Sequence, residues 1–449
     1  MAQAGPLVTA VLQAMVALLF LAGVARFLVM VAGWRVLRRY MRAESVDDSE
    51  TLVRSPLVPS VSVIFVPPDV SEESREFARR LLDLNFAWHE VVLVLEGPSE
   101  TALATWSREF HLCLSARPIE DKLRTAHIRG IYESRDPLRI VIVDKERGGT
   151  ADALNAGVNA ASSPVIGLID PESEFSASVL LWLIRPMLEA PERALAVCGA
   201  ATVAPSEAVI GLFGALESLR TWLGGAAMAG RNSALPLSGS SVLAWREAIV
   251  QAGGFSGGAL ELVLRLHGFA RAAGKPYSVV FVPERGSHVR APHSLADLRR
   301  LVLRDQREIA RACRKGRLIT GALGPRGVAG LYCMRFLCPL VETAAYVLAA
   351  VGLSMGWVDV PLAILLLLST AATGMVLSMA AVMLRELAAY HGSDPGRLAA
   401  MFFAAIPENL GYRQLRNLWL IAGFWKYWWR RPERTAFPPE AMPQKSGSS

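Results

Sequence analysis

The chain has 449 residues, 52% of them hydrophobic, with five cysteines and a formal net charge of +7. The apolar share exceeds the ~45–50% of an ordinary soluble domain, and the excess sits in Leu7–Gly33 and beyond Leu331, which excludes a purely soluble chain. The positive charge lies largely in arginines beside those stretches and in Trp425–Arg434, so the lipid bilayer with its anionic headgroups, and no nucleic acid, is the expected partner.

Leu7–Ala25 gives 19 residues without a charge, close to the ~20 that cross a bilayer core. No basic segment precedes it and no small-residue cleavage site follows, so it reads as an anchor and not a signal peptide. Arg35, Arg38, Arg39 and Arg42 follow at once, with Arg26 able to snorkel the same way. The positive-inside rule then places Trp34 onward in the cytoplasm and the N-terminus outside. After a polar linker over 43–54, Val61–Val66 predicts a buried strand, Ser71–Leu84 a helix and Val91–Leu95 a second strand. Leu138–Val143 predicts a third strand, Ala151–Ala161 a helix and Val165–Ile169 a fourth strand. Such alternation implies an α/β domain with a mostly parallel sheet, and ligands of such sheets sit beyond the carboxyl ends of the strands. Pro67–Val70, Glu96–Ser99, Asp144–Thr150 and Asp170–Ser173 are therefore expected to line one cleft.

From Gly324 the character changes. Tyr332–Leu353 and Pro361–Leu384 are long enough to span; inside the first, Arg335 and Glu342 must face protein or snorkel. Arg397–Ile406 is too short to span and reads as re-entrant or interfacial. Leu415–Trp429, with four Trp and one Tyr, predicts an amphipathic helix at headgroup level. The cysteines (Cys113, Cys198, Cys313, Cys333, Cys338) show neither metal spacing nor an even framework and suit buried thiols.

The most informative stretch is Asp144–Ser173, reading DKERGGTADALNAGVNAASSPVIGLIDPES. Gly148 and Gly149 permit a tight turn and close backbone approach, and the following helix offers N–H groups to an anion. Asp170 and Glu172, at i and i+2 beyond a strand, point the same way and suit a hard divalent cation that also holds phosphates; a helix cap or a solvated loop uses the same pair. The Ser238-Gly239-Ser240 run lacks the context of a nucleophile elbow. His267 and His288 have no partners at ligand spacing and read as surface residues or as supports behind a site.

The segment resembles the membrane-bound family 2 glycosyltransferases, the cellulose, hyaluronan and poly-N-acetylglucosamine synthase-like group. The resemblance continues through Ala194–Gly199, Gly239-Ser240, Gly253-Gly254-Phe255, Glu261–His267, Gly274–Pro283 and the tail Glu408–Leu415. It implies a nucleotide-diphospho-sugar transferase (GT-A) fold. Asp170 and Glu172 would match the metal-binding acidic pair for Mn²⁺ or Mg²⁺. Glu96, Gly148, Gly149, Asp152 and Asp170 would meet the nucleotide of a UDP-sugar.

The departures from that pattern concern chemistry. Relatives place a Glu-Asp pair, whose Asp is the general base, where this chain has Gly258-Ala259. Such a base contributes ~10²–10⁴ in rate, and neither residue here can accept a proton. Glu261 is a weak substitute, because two residues along a helix turn a side chain by about 200°. The Gln-x-x-Arg-Trp signature, on the acceptor and diphosphate side, is met only by Gln306-Arg307, with no Trp. Thr150 replaces a lysine of the glycine loop, and Pro68-Asp69-Val70 stands where relatives read Tyr-Asn-Glu.

The sequence therefore predicts an anchor over 1–42, a GT-A-like domain over 55–323, a membrane region over 324–431 and a disordered tail over 432–449. The expected location is a bacterial cytoplasmic membrane with the central domain inside. The expected role is that of a catalytically degenerate homologue in envelope polysaccharide biosynthesis, binding nucleotide or pairing with an active synthase or a second copy. An active inverting transferase using a UDP-sugar and a lipid or polysaccharide acceptor is one alternative; a ligand-free membrane scaffold is another.

Overall fold

The structure, a computed structural model, describes residues 4–43, 58–134, 139–204, 206, 208–236, 239–274, 276–388 and 394–429. All but the first residue of the expected linker, the tail over 432–449 and Ser238 lie outside them. Contacts divide the chain into two units. One comprises Met1–Ser45, Thr202–Arg231 and Arg290–Arg430; the other comprises Val46–Ala201, Asn232–Val289 and Arg431–Ser449. The expected central domain at 55–323 is thus narrower in space, because 202–231 and 290–323 group with the long helices.

In the second unit the β-branched runs form strands as expected: β1 (Val61–Phe65), β2 (His89–Glu96), β5 (Ile140–Lys145) and β6 (Val165–Leu168). They pair in parallel in the order β5-β2-β1-β6, with Val61 facing His89 on one side and Val165 on the other. Antiparallel β4 (Ile128–Ser134) and β3 (Leu112–Ser115) extend one edge. The other edge adds β9 (Val242–Trp245), β8 (Ala194–Val203), β10 (Ser278–Val289) and the two-residue β7 (Ser173–Glu174), completing ten strands.

Helix α2 (Glu72–Leu82) starts where the Ser71 hydroxyl accepts the Ser74 N–H, an N-cap that satisfies one orphan donor. It is followed by α3 (Glu100–Glu109), capped in the same way by Ser99. Helix α4 (Thr150–Ala160) is alanine- and glycine-rich, and a Cβ at Gly157 would come within 2.6 Å of Ile64. That smallness lets it lie tight against β1 and β2. The unit also holds α5 (Val179–Glu189), α7 (Arg246–Gln251) and α8 (Ala259–Ala273).

The other unit is helical: α1 (Ala4–Ala43), α6 (Val209–Ala229), α9 (Leu295–Arg314), α10 (Gly316–Tyr332), α11 (Cys338–Ser354), α12 (Val360–Ala388), α13 (Pro395–Pro407) and α14 (Arg413–Trp429). A π-helical turn, Cys333–Leu337, joins α10 to α11. Among the described residues three helices are long and apolar enough to cross a membrane: Gly5–Met41, Gly327–Ser354 and Val360–Ala388. Glu342 does face protein, accepting from Arg413 at 2.9 Å and from the Tyr346 hydroxyl at 3.3 Å. Glu217 and Arg220 of α6, Ser378 of α12, Glu408 and Arg416 form one connected polar network.

Candidate active site

Because β5, β2, β1 and β6 run parallel, their carboxyl ends share one sheet edge. Glu96 ends β2, Lys145 ends β5 and Asp170 follows β6. Strand β9 pairs antiparallel with β6, Val242 opposite Leu168, so the turn at Gly239–Ser241 enters on the same edge.

The glycine turn forms as expected: Gly149 caps α4 with φ +94°, a conformation open to glycine. Its N–H and that of Gly148 both point at Glu96, whose Oε1 accepts them at 2.8 and 3.0 Å. The cradle expected to receive a phosphate is thus engaged by a carboxylate of the chain itself. Beneath it lies Lys145, within the Asp144–Thr150 stretch expected to line the cleft. It is fully buried, donates to Asp152 and to the Glu146 carbonyl at 2.7 Å, and reaches Glu96 at 3.5 Å. Asp152 also accepts the Ala126 N–H at 2.9 Å. Asp152 is 2% exposed and ties the α4 entry to the loop before β4. Lys145 does not replace the lysine missing at Thr150, since its ammonium is enclosed by these acceptors. The one signal was its place, beside Asp144, at the end of a strand that opens on the apolar run Ile140–Val143.

Asp170 is half-buried, with Oδ1 accepting the Glu172 N–H at 2.9 Å and Oδ2 the Gly239 N–H at 3.1 Å. Glu172 is exposed. Among the described residues no group of three or more His, Cys, Asp or Glu side chains is arranged to hold a metal. The pair nevertheless fits a hard dication of the Mg²⁺ type, which keeps one or two carboxylates and takes its other ligands from phosphates and water.

Helix α4 also positions the segment before α8. The Asn155 amide accepts the Phe255 N–H at 2.7 Å and donates to the Phe255 carbonyl at 3.2 Å. Gly254, at φ +72°, leaves room for it, since a Cβ there would come within 2.6 Å of the amide oxygen. Helix α8 then opens on Gly258, whose Cβ position has nothing within 4 Å. Glu261, in the first turn, is 7% exposed and accepts the Ser256 hydroxyl at 3.0 Å. Its carboxylate is turned inward, as the helical rotation from Ala259 implies. Asp69 lies before the Ser71 cap of α2, accepting the Ser71 hydroxyl and N–H and the Ser74 hydroxyl, and these bonds hold its carboxyl below the ordinary range.

Of the two expectations for His267, the surface one does not hold. The residue is fully buried in α8, between the Tyr277 hydroxyl at 3.0 Å and the Ala234 carbonyl at 2.9 Å. Burial lowers its pKa to about 4. Gln306 and Arg307 lie in α9 of the helical unit. Gln306 is fully buried, its amide 3.5 Å from the Leu420 carbonyl, and the Arg307 guanidinium stands 6.0 Å over the Tyr427 ring.

No protein-family model and no curated protein sequence matches the chain. Among solved structures it is similar to the mannosyltransferase PcManGT from Pyrobaculum calidifontis, determined with GDP-Man and Mn²⁺. The likeness has 18% identity and a TM-score of 0.51, and covers 89% of this chain and 99% of that one. A weaker likeness, with TM-score 0.34 and 16% identity, links 60% of this chain to 84% of glucosyl-3-phosphoglycerate synthase from Mycobacterium tuberculosis. The mixed sheet and the extent of the first likeness give the chain a GT-A-like glycosyltransferase fold, accompanied by three helices of membrane-spanning length and composition.

Proposed function

We propose that the chain is a membrane-embedded family 2 glycosyltransferase homologue that keeps a nucleotide-diphosphate site but lacks the base for sugar transfer. It serves envelope polysaccharide biosynthesis as a nucleotide-binding or partner subunit. The observation that carries this reading is the bare entry to α8. Gly258 and Ala259 carry no proton-accepting side chain at the two positions of the relatives' Glu-Asp pair, and Glu261 accepts the Ser256 hydroxyl. Without a proton acceptor an attacking hydroxyl loses the ~10²–10⁴ that general base catalysis contributes.

Asp170 and Glu172 are the residues that would hold Mn²⁺ or Mg²⁺, and the ion would neutralise diphosphate charge. The solved complex of the similar mannosyltransferase with GDP-Man and Mn²⁺ supports testing guanosine as well as uridine nucleotides. The Glu96 carboxylate on the Gly148 and Gly149 N–H groups must yield to any phosphate that uses them, which weakens binding. Calorimetry of the purified protein with UDP or GDP, with and without Mn²⁺, is expected to show metal-dependent binding that Asp170→Asn abolishes. In lipid, release of UDP or GDP from nucleotide sugars should not exceed that of the Asp170→Asn control. Turnover that depends on Asp170 would instead establish an active transferase; absence of any nucleotide binding would favour a scaffold.

A further inference from the structure

Pro339, the second residue of α11, brings no N–H to the helix, and a proline ring crowds the carbonyl four residues before it. Just there the regular ladder gives way to the π-helical turn Cys333–Leu337. The Cys338 N–H accordingly bonds the Cys333 carbonyl, five residues back. The Met334 carbonyl is left without a ladder donor, since Pro339 stands five residues on from it. The Arg26 guanidinium of α1 donates to that carbonyl at 3.3 Å.

The same turn sets two thiols together. In an α-helix, residues five apart lie about 140° apart around the axis. The five-residue bond of the π turn instead brings Cys338 over Cys333, and their Sγ atoms stand 3.9 Å apart. Both are free thiols. Cys333 is half-buried and lines an apolar groove of about 340 Å³ beside α14, while Cys338 is 6% exposed. An accessible thiol poised next to an enclosed one is the arrangement in which the first is oxidised and the second resolves it.

We propose that Cys333 and Cys338 form a peroxide-reactive dithiol that closes into a disulfide across the turn. Hydrogen peroxide, small and uncharged, suits the apolar approach to Cys333. The Cys333 sulfur attacks the O–O bond and becomes a sulfenic acid as water leaves. The Cys338 sulfur then displaces that hydroxyl, which departs as water with the Cys338 proton. Two thiols are oxidised to one disulfide, and the peroxide is reduced to two waters. From 3.9 Å the sulfurs have about 1.9 Å to close to reach bonding distance. The bond would brace the turn that carries Met334, the acceptor of Arg26. The site is independent of the nucleotide reading, because neither cysteine belongs to the sheet edge.

Mass spectrometry of the full chain, exposed to hydrogen peroxide in detergent and then denatured with N-ethylmaleimide, tests it. Three alkylated cysteines in place of five are expected. Trypsin, which cuts after Arg335, should release Cys333 and Cys338 on two peptides joined by a bond that dithiothreitol opens. Cys338→Ser should leave a Cys333 sulfenic acid that dimedone traps, a product the wild-type chain does not accumulate. Pro339→Ala, which returns an N–H to the ladder, should slow closure. Five alkylatable cysteines after peroxide sufficient to oxidise an equal concentration of glutathione overturn the proposal without any variant. So does dimedone capture of Cys333 that is equal in the wild type and in Cys338→Ser, or a bond from either cysteine to a third. Closure of Pro339→Ala at the wild-type rate overturns the part given to the turn.

Discussion

At the residue scale, His267 offers a test of the core that is separate from the nucleotide site. Its folded pKa of about 4 lies below the ordinary 6.5, because burial disfavours the imidazolium. The unfolded chain therefore binds the extra proton first, and stability falls as pH drops from about 6.5 toward 4. The loss is on the order of 3 kcal/mol at ~1.36 kcal/mol per pKa unit. Thermal unfolding followed between pH 7 and 4 should show this slope, and His267→Gln should flatten it. Lys145 gives a second test. Lys145→Met would leave the Asp152 carboxylate buried without its cation, a change that costs ~3–5 kcal/mol. The melting temperature should fall by roughly 10 °C, with partial recovery in Lys145→Met/Asp152→Leu. Neither role was legible in the sequence. A histidine and a lysine in a linear string carry no sign of enclosure; only the fold brings Ala234, Tyr277 and Asp152 to them. The glycine turn was legible, because Gly149 at φ +94° has few substitutes. What fills the turn was not, since Glu96 lies 53 residues away from Gly149.

At the scale of elements, close helix crossings make the sharpest predictions. Gly33 of α1 lies against the Leu223 carbonyl of α6, so an added Cβ would strike backbone that cannot rotate away. Gly33→Leu is expected to lower stability in detergent by at least the ~1–3 kcal/mol of an overpacked contact. Gly224, one residue beyond that contact, has nothing within 4 Å of its Cβ position. Gly224→Ala should therefore raise the melting temperature slightly, gaining up to ~1 kcal/mol of helix propensity. The four parallel strands were legible because each is a short run buried on both faces and reads as continuous apolar sequence. The others were not. β3 is an edge strand and β4 lies beside it, both of mixed burial, β7 has only two residues, and β10 contains Pro283 and charged positions that dilute a strand pattern. Helix α6 went unread because its apolar residues run all round it, without the one-sided periodicity of an amphipathic helix.

At the scale of the whole molecule, the arginine clusters and span lengths carry the topology prediction. In a cysteine-free background, a thiol at Ser99 should stay unlabelled by an impermeant reagent on intact cells, and one at Met355 should react. Met355 is preferable to Gly356, whose φ of +68° would strain any side chain. The reverse labelling would overturn the orientation. The apolar helices were legible from composition alone, whereas the grouping of 202–231 and 290–323 with them was not, since it rests on long-range contacts. Those contacts also set an order for biosynthesis. Arg26 leaves the ribosome 308 residues ahead of its acceptors on Met334. Throughout that interval the nascent anchor carries an arginine whose final partners do not exist. Chains truncated before residue 334 should consequently be unstable in the membrane, and pulse-chase decay that Arg26→Leu slows would reveal that waiting time.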